Sequence, residues 1–341
     1  LVTAAVRSDG SSKFRGDNRF GTFPSLALGW RISEEAFMQG LNFLDELKLR
    51  GSYGITGSQA LPVFGTVTTF LTSNFDAGTS FQNGELTSGI IIGNPGNNNL
   101  RWESTTQFNV GFDLQVYNGR LGLTADYFQK NTTDLLLSEP LPQYSGGGSI
   151  FRNLGEVANE GFEFAISATP IQTADFSWSS SFNASFLRNE VISIGDREQI
   201  FADGDAGAGL TNLPEMIILP GQTLATYYGL NYLGVWGEDE AALAAEYGRV
   251  PGDSKFEDVD GDGVIGGNDY QPLGSAIPTR LFGWNNDFTY KNFTLNVFFQ
   301  SMMGFDKWNF TYAQAVMPVA DAREATHVDI LDRWSPSNSD S

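Results

Sequence analysis

The chain contains no cysteine, which excludes a disulfide framework, a thiolate metal centre and a cysteine nucleophile. Histidine is nearly absent. His327 is the single one, so Ser-His-Asp triads, His-based zinc sites and paired imidazole chemistry have little support. It lies near a polar terminus and is expected to be solvated or to cap a turn. No apolar run reaches the roughly eighteen residues of a membrane-spanning helix. Basic charge is short as well, with 20 Lys and Arg against 40 Asp and Glu and a net charge of −20. That balance argues against a nucleic-acid partner, whose phosphates need a basic surface, and against docking on anionic lipid through a basic patch. No Gly-rich loop follows a strand and opens a helix, as a nucleotide site requires. Acidic neighbours such as Glu34-Glu35 and Glu238-Asp239-Glu240 suit solvated turns and a helix start better than a glycosidase pair. The chain is therefore not expected to be an enzyme.

Aromatic residues make up 13% of the chain and glycine contributes 39 residues, a composition that suits strands and tight turns. Residues 107–116, QFNVGFDLQV, alternate without a fault. Phe108, Val110, Phe112, Leu114 and Val116 face one way, and Gln107, Asn109, Gly111, Asp113 and Gln115 the other. Period 2 is the mark of a strand with one apolar and one polar face. Asn118-Gly119, the strongest short hairpin signal, follows at once, and the chain returns through Leu121, Leu123, Ala125 and Tyr127. Two more pairs are expected at 156–170 with 175–190 and at 279–290 with 293–303, and earlier strands at 1–8, 20–32 and 46–57. The count is about nine long strands. TLATYYGLNYLGVWG, 223–237, is expected to be a loop excursion or two half-strands, and GEDEAALAAEYG, 237–248, one short helix.

Alternation alone does not say which face meets water: a soluble sandwich buries its apolar face and an outer-membrane barrel turns it to lipid. Two features favour the membrane. Several strands approach the roughly ten residues needed to cross a bilayer at a tilt. The links also sort by side, with those at 33–45, 118–120, 171–175 and 291–292 on one end. Those at 9–19, 58–103, 138–155 and 191–278 fall on the other, and most are long. Short inner turns with long outer loops are the outer-membrane pattern. The expected fold is all-β, a transmembrane antiparallel β-barrel. LVTAAVRSDG carries neither a starting Met nor a signal peptide, and DRWSPSNSDS ends no recognisable element, so an internal piece of a larger protein is expected.

The stretch DVDGDGVIGGND, 258–269, is the sharpest chemical motif. Asp258, Asp260 and Asp262 occupy positions 1, 3 and 5 of a twelve-residue calcium loop and Gly263 position 6. Val264 at position 7 would supply a backbone carbonyl, and Asp269 closes the loop at position 12. Calcium takes six to eight oxygens, which alternating carboxylates around a glycine turn deliver to one point. Flanking helices are not expected, because YGRVPGDSKFE and YQPLGSAIP are full of breakers. The site residues are thus Asp258, Asp260, Asp262, Val264 and Asp269, the cofactor Ca²⁺ and its role structural. An acidic turn that binds nothing is the plain alternative. Trp236, in an outer loop, is open between ligand contact and packing.

Several stretches resemble one family. They are RSDGSSKF and RFGTFPSLALGWRISEEAFM from Arg7 on, LKLRGSYGITGSQ from Leu47 and LRWESTTQFNVGFDLQVYNGRLGLTADYF from Leu100. NLGEVANEGFEFAISATPI from Asn153, PGDSKFEDVDGDGVIGGND from Pro251 and FGWNNDFTYKNFTLNVFFQ from Phe282 continue in the same order, and ILDRWSPSNSDS resembles a loop before the last strands. Together they resemble the SusC/RagA-type TonB-dependent outer-membrane transporters of Bacteroidetes. The resemblance implies part of a 22-stranded barrel lacking its plug domain, TonB box and final strands. It also implies a SusD-like surface lipoprotein lid, energy from TonB and import of glycans or peptides. In that family's loop Asn usually follows the first Asp; here Asp260 stands there, and Gly266-Gly267 remove a side-chain ligand at position 9. The reading is active nutrient import across the outer membrane. Its rivals are a secreted calcium-binding β-sandwich that binds glycans and a passive porin or adhesin barrel.

Overall fold

The computed structural model describes residues 1–71, 79–82, 85–88, 91–141, 149–202, 216–316, 326–335 and 337–338. The expected outer links at 58–103, 138–155 and 191–278 each lie partly outside them. The chain divides into two compact units, one of residues 1–197 with 279–303 and the other of 198–278 with 304–341.

Among the described residues the first unit holds two short ribbons between residues 69 and 94 and is built on one open, nine-stranded antiparallel sheet. Its strands are β1 (Val2–Gly10), β2 (Phe20–Arg31), β3 (Leu44–Ser58), β4 (Glu103–Val116), β5 (Leu121–Pro140), β6 (Ser149–Gln172), β7 (Phe176–Ser193), β8 (Arg280–Tyr290) and β9 (Phe293–Met303). They pair in chain order, so every neighbour in sequence is a neighbour in space. The β4–β5 hairpin turns at Tyr117, Asn118 and Gly119, all at positive φ, as an Asn-Gly turn requires.

The alternation resolves into two faces with different solvents. On the outward face Phe108 is 44% exposed, Val110 46% and Phe162 51%, so the apolar side of the sheet is not a protein core. Register then shows how this face sits in a bilayer. Phe299 of β9 lies opposite Trp284, which faces Phe182; Ile166, Leu123 and Leu114 continue that row to β4. In β4, however, the outward apolar run continues past Leu114 through Phe112 and Val110 to Phe108. Beyond it, Phe108 lies opposite Gln129, which faces Glu160, which faces Arg188. The apolar limit therefore slides along the strands by about one residue per strand step, relative to the hydrogen-bond rows. With about 3.3 Å per residue and about 4.8 Å between strands, a level band requires strands tilted by about 35–40°, the tilt of membrane barrels. On β7 the band runs from Phe176 to Phe186, about 25 Å of height at that tilt, which matches a lipid-facing belt.

At the outer end, β5 and β6 run on past the band. Here the period-2 pattern breaks at irregular pairings around Asn153, Gly155 and Val157, and Asp134 takes positive φ. Arg101 binds the Asp134 carboxylate at 2.5 Å, and the Asn153 amide donates to the carbonyls of Asp134 and Arg101. Phe14, Leu61, Leu100 and Leu136 form a small core there, with Trp102 and Phe151 against it. The Glu103 carboxylate accepts the Leu136 N–H at 2.9 Å.

The second unit holds a four-stranded sheet of Ile200–Ala202, Met216–Ile218, Thr226–Leu230 and Tyr270–Ser275. A two-stranded ribbon pairs Tyr232–Val235 with Ser254–Phe256. The 223–237 segment is thus two half-strands in two different ladders. The short helix is Ala241–Glu246, and Phe310–Val316 is a second one where only one was expected.

Candidate functional site

The polar face of the nine-stranded sheet is the larger candidate. Arg50 of β3 stands beside Gly111 of β4, which stands beside Asp126 of β5. The Arg50 guanidinium reaches across this row: Nε lies 2.8 Å from Asp113 and Nη2 2.9 Å from Asp126. Gly111 makes the reach possible, since a Cβ there would overlap the Asp126 carboxylate. Thr124 adds a hydroxyl to Asp113 at 3.2 Å. Further along, Asn296 donates to Asn285 and Asp287, and Asn285 donates to Asp287. Glu163 and Ser185 continue the Asp126 row, and Ala165 and Asn183 continue that of Asp113 and Thr124. The result is a braced, hydrogen-bonded wall floored by small residues, with a recess of about 460 Å³ lined among others by Lys48, Asp113, Thr124, Ser167, Asn183 and Asn285. Such a surface accepts polar solutes through many weak donors and acceptors. Sequence reading found the face but not this cluster, because nothing short of register brings Arg50, Asp113 and Asp126 together.

The acidic loop of the second unit is the other candidate. One carboxylate oxygen from each of Asp258, Asp260 and Asp262 lies within 4.8 Å of the others. Asp258 accepts the N–H of Gly261 at 2.7 Å and of Gly263 at 3.0 Å, and the Tyr247 hydroxyl at 3.2 Å. Asp260 accepts from the Asp262 N–H and Asp262 from the Val264 N–H. Gly263 has φ +79, a conformation that side chains resist. Burial is the largest single influence on Asp258 and pushes its pKa up. The N–H groups of Gly263 and Gly261, the Tyr247 hydroxyl and the Asp262 N–H together outweigh it, so the net shift is downward. The hydrogen bond to Asp258 in turn raises Tyr247.

Asp269 stands apart from the three. It is fully buried, and its two oxygens accept the N–H of Val259 at 2.8 Å and of Gly266 at 2.7 Å. Its carboxylate closes the loop backbone instead of joining the cluster. The reason is local: a single 3-10 turn, Gly267–Asp269, runs straight into a strand, where a helix would have aimed position 12 at the centre. Val264 is 66% exposed, and its N–H donates to Asp262 at 2.7 Å.

Two other residues resolve simply. Trp236 is 4% exposed, tilted against Tyr247 at 5.7 Å and under the Lys255 ammonium at 4.6 Å, so it packs. His327 caps the 328–332 turn by accepting the Asp329 N–H.

A sheet whose apolar face forms a tilted belt and whose other face is charged defines a membrane-spanning β-structure of the outer-membrane type. A family model described as TonB dependent receptor-like, beta-barrel, matches residues 1–272. A TonB-dependent receptor of Formosa agariphila is 34% identical over 343 residues, 99% of this chain and 33% of that protein. The TonB-dependent receptor SusC of Bacteroides thetaiotaomicron is 34% identical over 298 residues, 86% of this chain and 28% of that one. The solved RagAB peptide transporter shares the fold, with TM-score 0.81 at 22% identity, over 100% of this chain and 36% of its own. The chain belongs to the TonB-dependent receptor β-barrel family, whose members are integral outer-membrane proteins. It spans about a third of the length of the curated relatives it matches.

Proposed function

We propose that this chain forms part of the wall of an active importer that carries a polar oligomer, glycan or peptide, across the outer membrane. TonB energises the transport, and a SusD-like surface lipoprotein closes the outer mouth. The observation that carries this is the inner face: charged and hydroxylated side chains on a rigid wall, with small residues between, at the depth of the lipid belt. Relatives named TonB-dependent receptor and SusC support the energised route, and RagAB is a peptide transporter by name. No catalytic step belongs to this reading. The test is uptake by cells expressing the whole protein, offered labelled oligosaccharides and oligopeptides with and without TonB. Accumulation of one class that stops without TonB is expected. Uptake that persists without TonB means a passive pore and overturns the proposal.

We also propose that Asp258, Asp260 and Asp262, with the Val264 carbonyl, hold one Ca²⁺, while Asp269 fixes the loop around it. Oxygens within 4.8 Å of one another suit a cation that takes its ligands at about 2.3–2.6 Å. The charge of three neighbouring carboxylates is what such an ion would neutralise, pinning a long irregular segment. Hydrogen exchange across 250–275 should slow in millimolar calcium relative to chelator. Equal exchange in both returns the loop to a plain acidic turn.

A further inference from the structure

We propose that Arg188 and Arg280, on the outward face just above the apolar belt, form a site for the phosphate-bearing headgroup of an outer-leaflet lipid. The net charge of −20 excludes a broad basic surface, so the question is whether donors gather anywhere at headgroup height. They do so at one corner of the sheet. Phe186 ends the apolar run of β7, and Arg280 lies directly opposite it on β8. Arg188 is the next outward residue on β7, which makes it the diagonal neighbour of Arg280, with Cα atoms roughly 7–8 Å apart. Two long guanidinium stems at that spacing can converge on one phosphate.

The two arginines differ in what they already bind. Arg188 is 68% exposed and touches Glu190 at 2.8 Å and Glu160 at 3.5 Å. A guanidinium has five N–H donors, so it keeps others free. Arg280 is exposed and has no carboxylate partner among the described residues. Together the two arginines and two glutamates are formally neutral, an island where a phosphate is not repelled by an otherwise acidic chain. Bidentate guanidinium geometry matches phosphate oxygens.

The belt beneath argues for a lipid over a free anion. Phe186 meets Phe282 edge-on at 5.9 Å and Phe164 at 6.4 Å. Acyl chains descending from a phosphate held at Arg280 would lie along these rings. A free phosphate would use none of that surface.

The test uses the full-length protein in non-ionic detergent, titrated with bis-phosphorylated lipid A and with the same lipid lacking both phosphates, by native mass spectrometry. Arg280→Gln should weaken the phosphorylated lipid about tenfold, the effect of one charge-assisted hydrogen bond, and the double change with Arg188→Gln more. Arg120→Gln, at the opposite rim, should leave binding unchanged, and the phosphate-free lipid should not distinguish the variants. Equal binding by wild type and Arg280→Gln, or equal loss with Arg120→Gln, overturns the proposal. So does complete displacement by millimolar inorganic phosphate, which would make it a free-anion site. If Arg280→Gln loses the heat-modifiable mobility of a folded barrel, Arg280→Lys takes its place. It keeps the charge without the fork and should bind a few-fold more weakly; binding equal to wild type then counts against the site.

Discussion

Placing an arginine at Ile166 tests the membrane geometry most directly. Ile166 shares a hydrogen-bond row with Phe182 and Leu123 and is 41% exposed on the outward face. It lies four residues below Phe162, the last apolar outward residue of β6, so it sits about 10 Å inside a belt of about 25 Å. Arginine near the midplane costs about 2–4 kcal/mol on a lipid-facing barrel strand. That is roughly a 30- to 900-fold shift in the folding equilibrium. Ser167, the next residue, points to the polar face, where Gly122 leaves it space, and Ser167→Arg should change stability by less than about 0.5 kcal/mol. Denaturant unfolding of the full-length protein from lipid vesicles reads both. A neighbour-to-neighbour contrast of that size has no source in a soluble sheet with two wet faces. If Ser167→Arg costs as much as Ile166→Arg, or Ile166→Arg costs nothing, the assignment of faces is wrong.

Three further outcomes are expected. Arg50→Ala leaves Asp113 and Asp126 as unneutralised neighbours and should cost about 1–3 kcal/mol by the same unfolding assay. Adding Asp113→Asn and Asp126→Asn should recover most of it, and no recovery would mean the brace is not electrostatic. Asp258 has a folded pKa below its ordinary 3.8, so its ionised form stabilises the loop above that pH. The contribution is lost as pH falls below 3.8 through the folded value. Hydrogen-exchange protection at 258–264, taken relative to the intrinsic rate at each pH, should fall only in that acid window, and a fall already at pH 6 would contradict it. Asp260→Ala should abolish calcium-dependent protection of 250–275 while leaving barrel unfolding unchanged; a loss of barrel stability would show that the loop does more than pin its own segment.

Much of the sheet was legible because two local signals agree along it. Strands β4, β5, β7, β8 and β9 keep their period-2 alternation along the belt, broken outward only at Ser180 of β7 and Asn286 of β8, and tight turns at Asn118-Gly119 and Lys291-Asn292 fix their pairing. The extension of β6 back to Ser149, expected to start at 156, was not legible: the irregular pairings around Gly155 interrupt the alternation, and period 2 is the primary signal of a strand. In the acidic loop, spacing gathered Asp258, Asp260 and Asp262 but placed Asp269 with them. Spacing encodes which residues are near in sequence. The direction of the last carboxylate depends on whether a helix or a strand follows, and here a strand does. The Arg50 cluster lies beyond any such reading, since 63 residues separate Arg50 from Asp113 and only register joins them.

Two polar residues on the lipid-facing side look like faults in the pattern and are not. Asn286 and Ser180 interrupt the outward apolar rows of β8 and β7, opposite one another. Each serves a tryptophan: the Trp178 indole donates to Asn286 at 3.2 Å, and the Trp284 indole donates to Ser180 at 2.9 Å. Hydrocarbon offers an indole N–H no acceptor, so the protein must supply one. Asn286 is only 4% exposed, with the Trp178 ring stacked on Phe288 beside it at 5.7 Å. Asn286→Leu would make the belt more apolar, and area alone predicts stabilisation. The hydrogen bond predicts the reverse, a loss of about 1–3 kcal/mol from a donor left without a partner. Trp178→Phe in the same chain removes that donor and should restore most of the loss. Unfolding from lipid vesicles separates the two accounts. If Asn286→Leu stabilises the protein with Trp178 in place, the acceptor role is refuted and the belt is governed by apolar area alone.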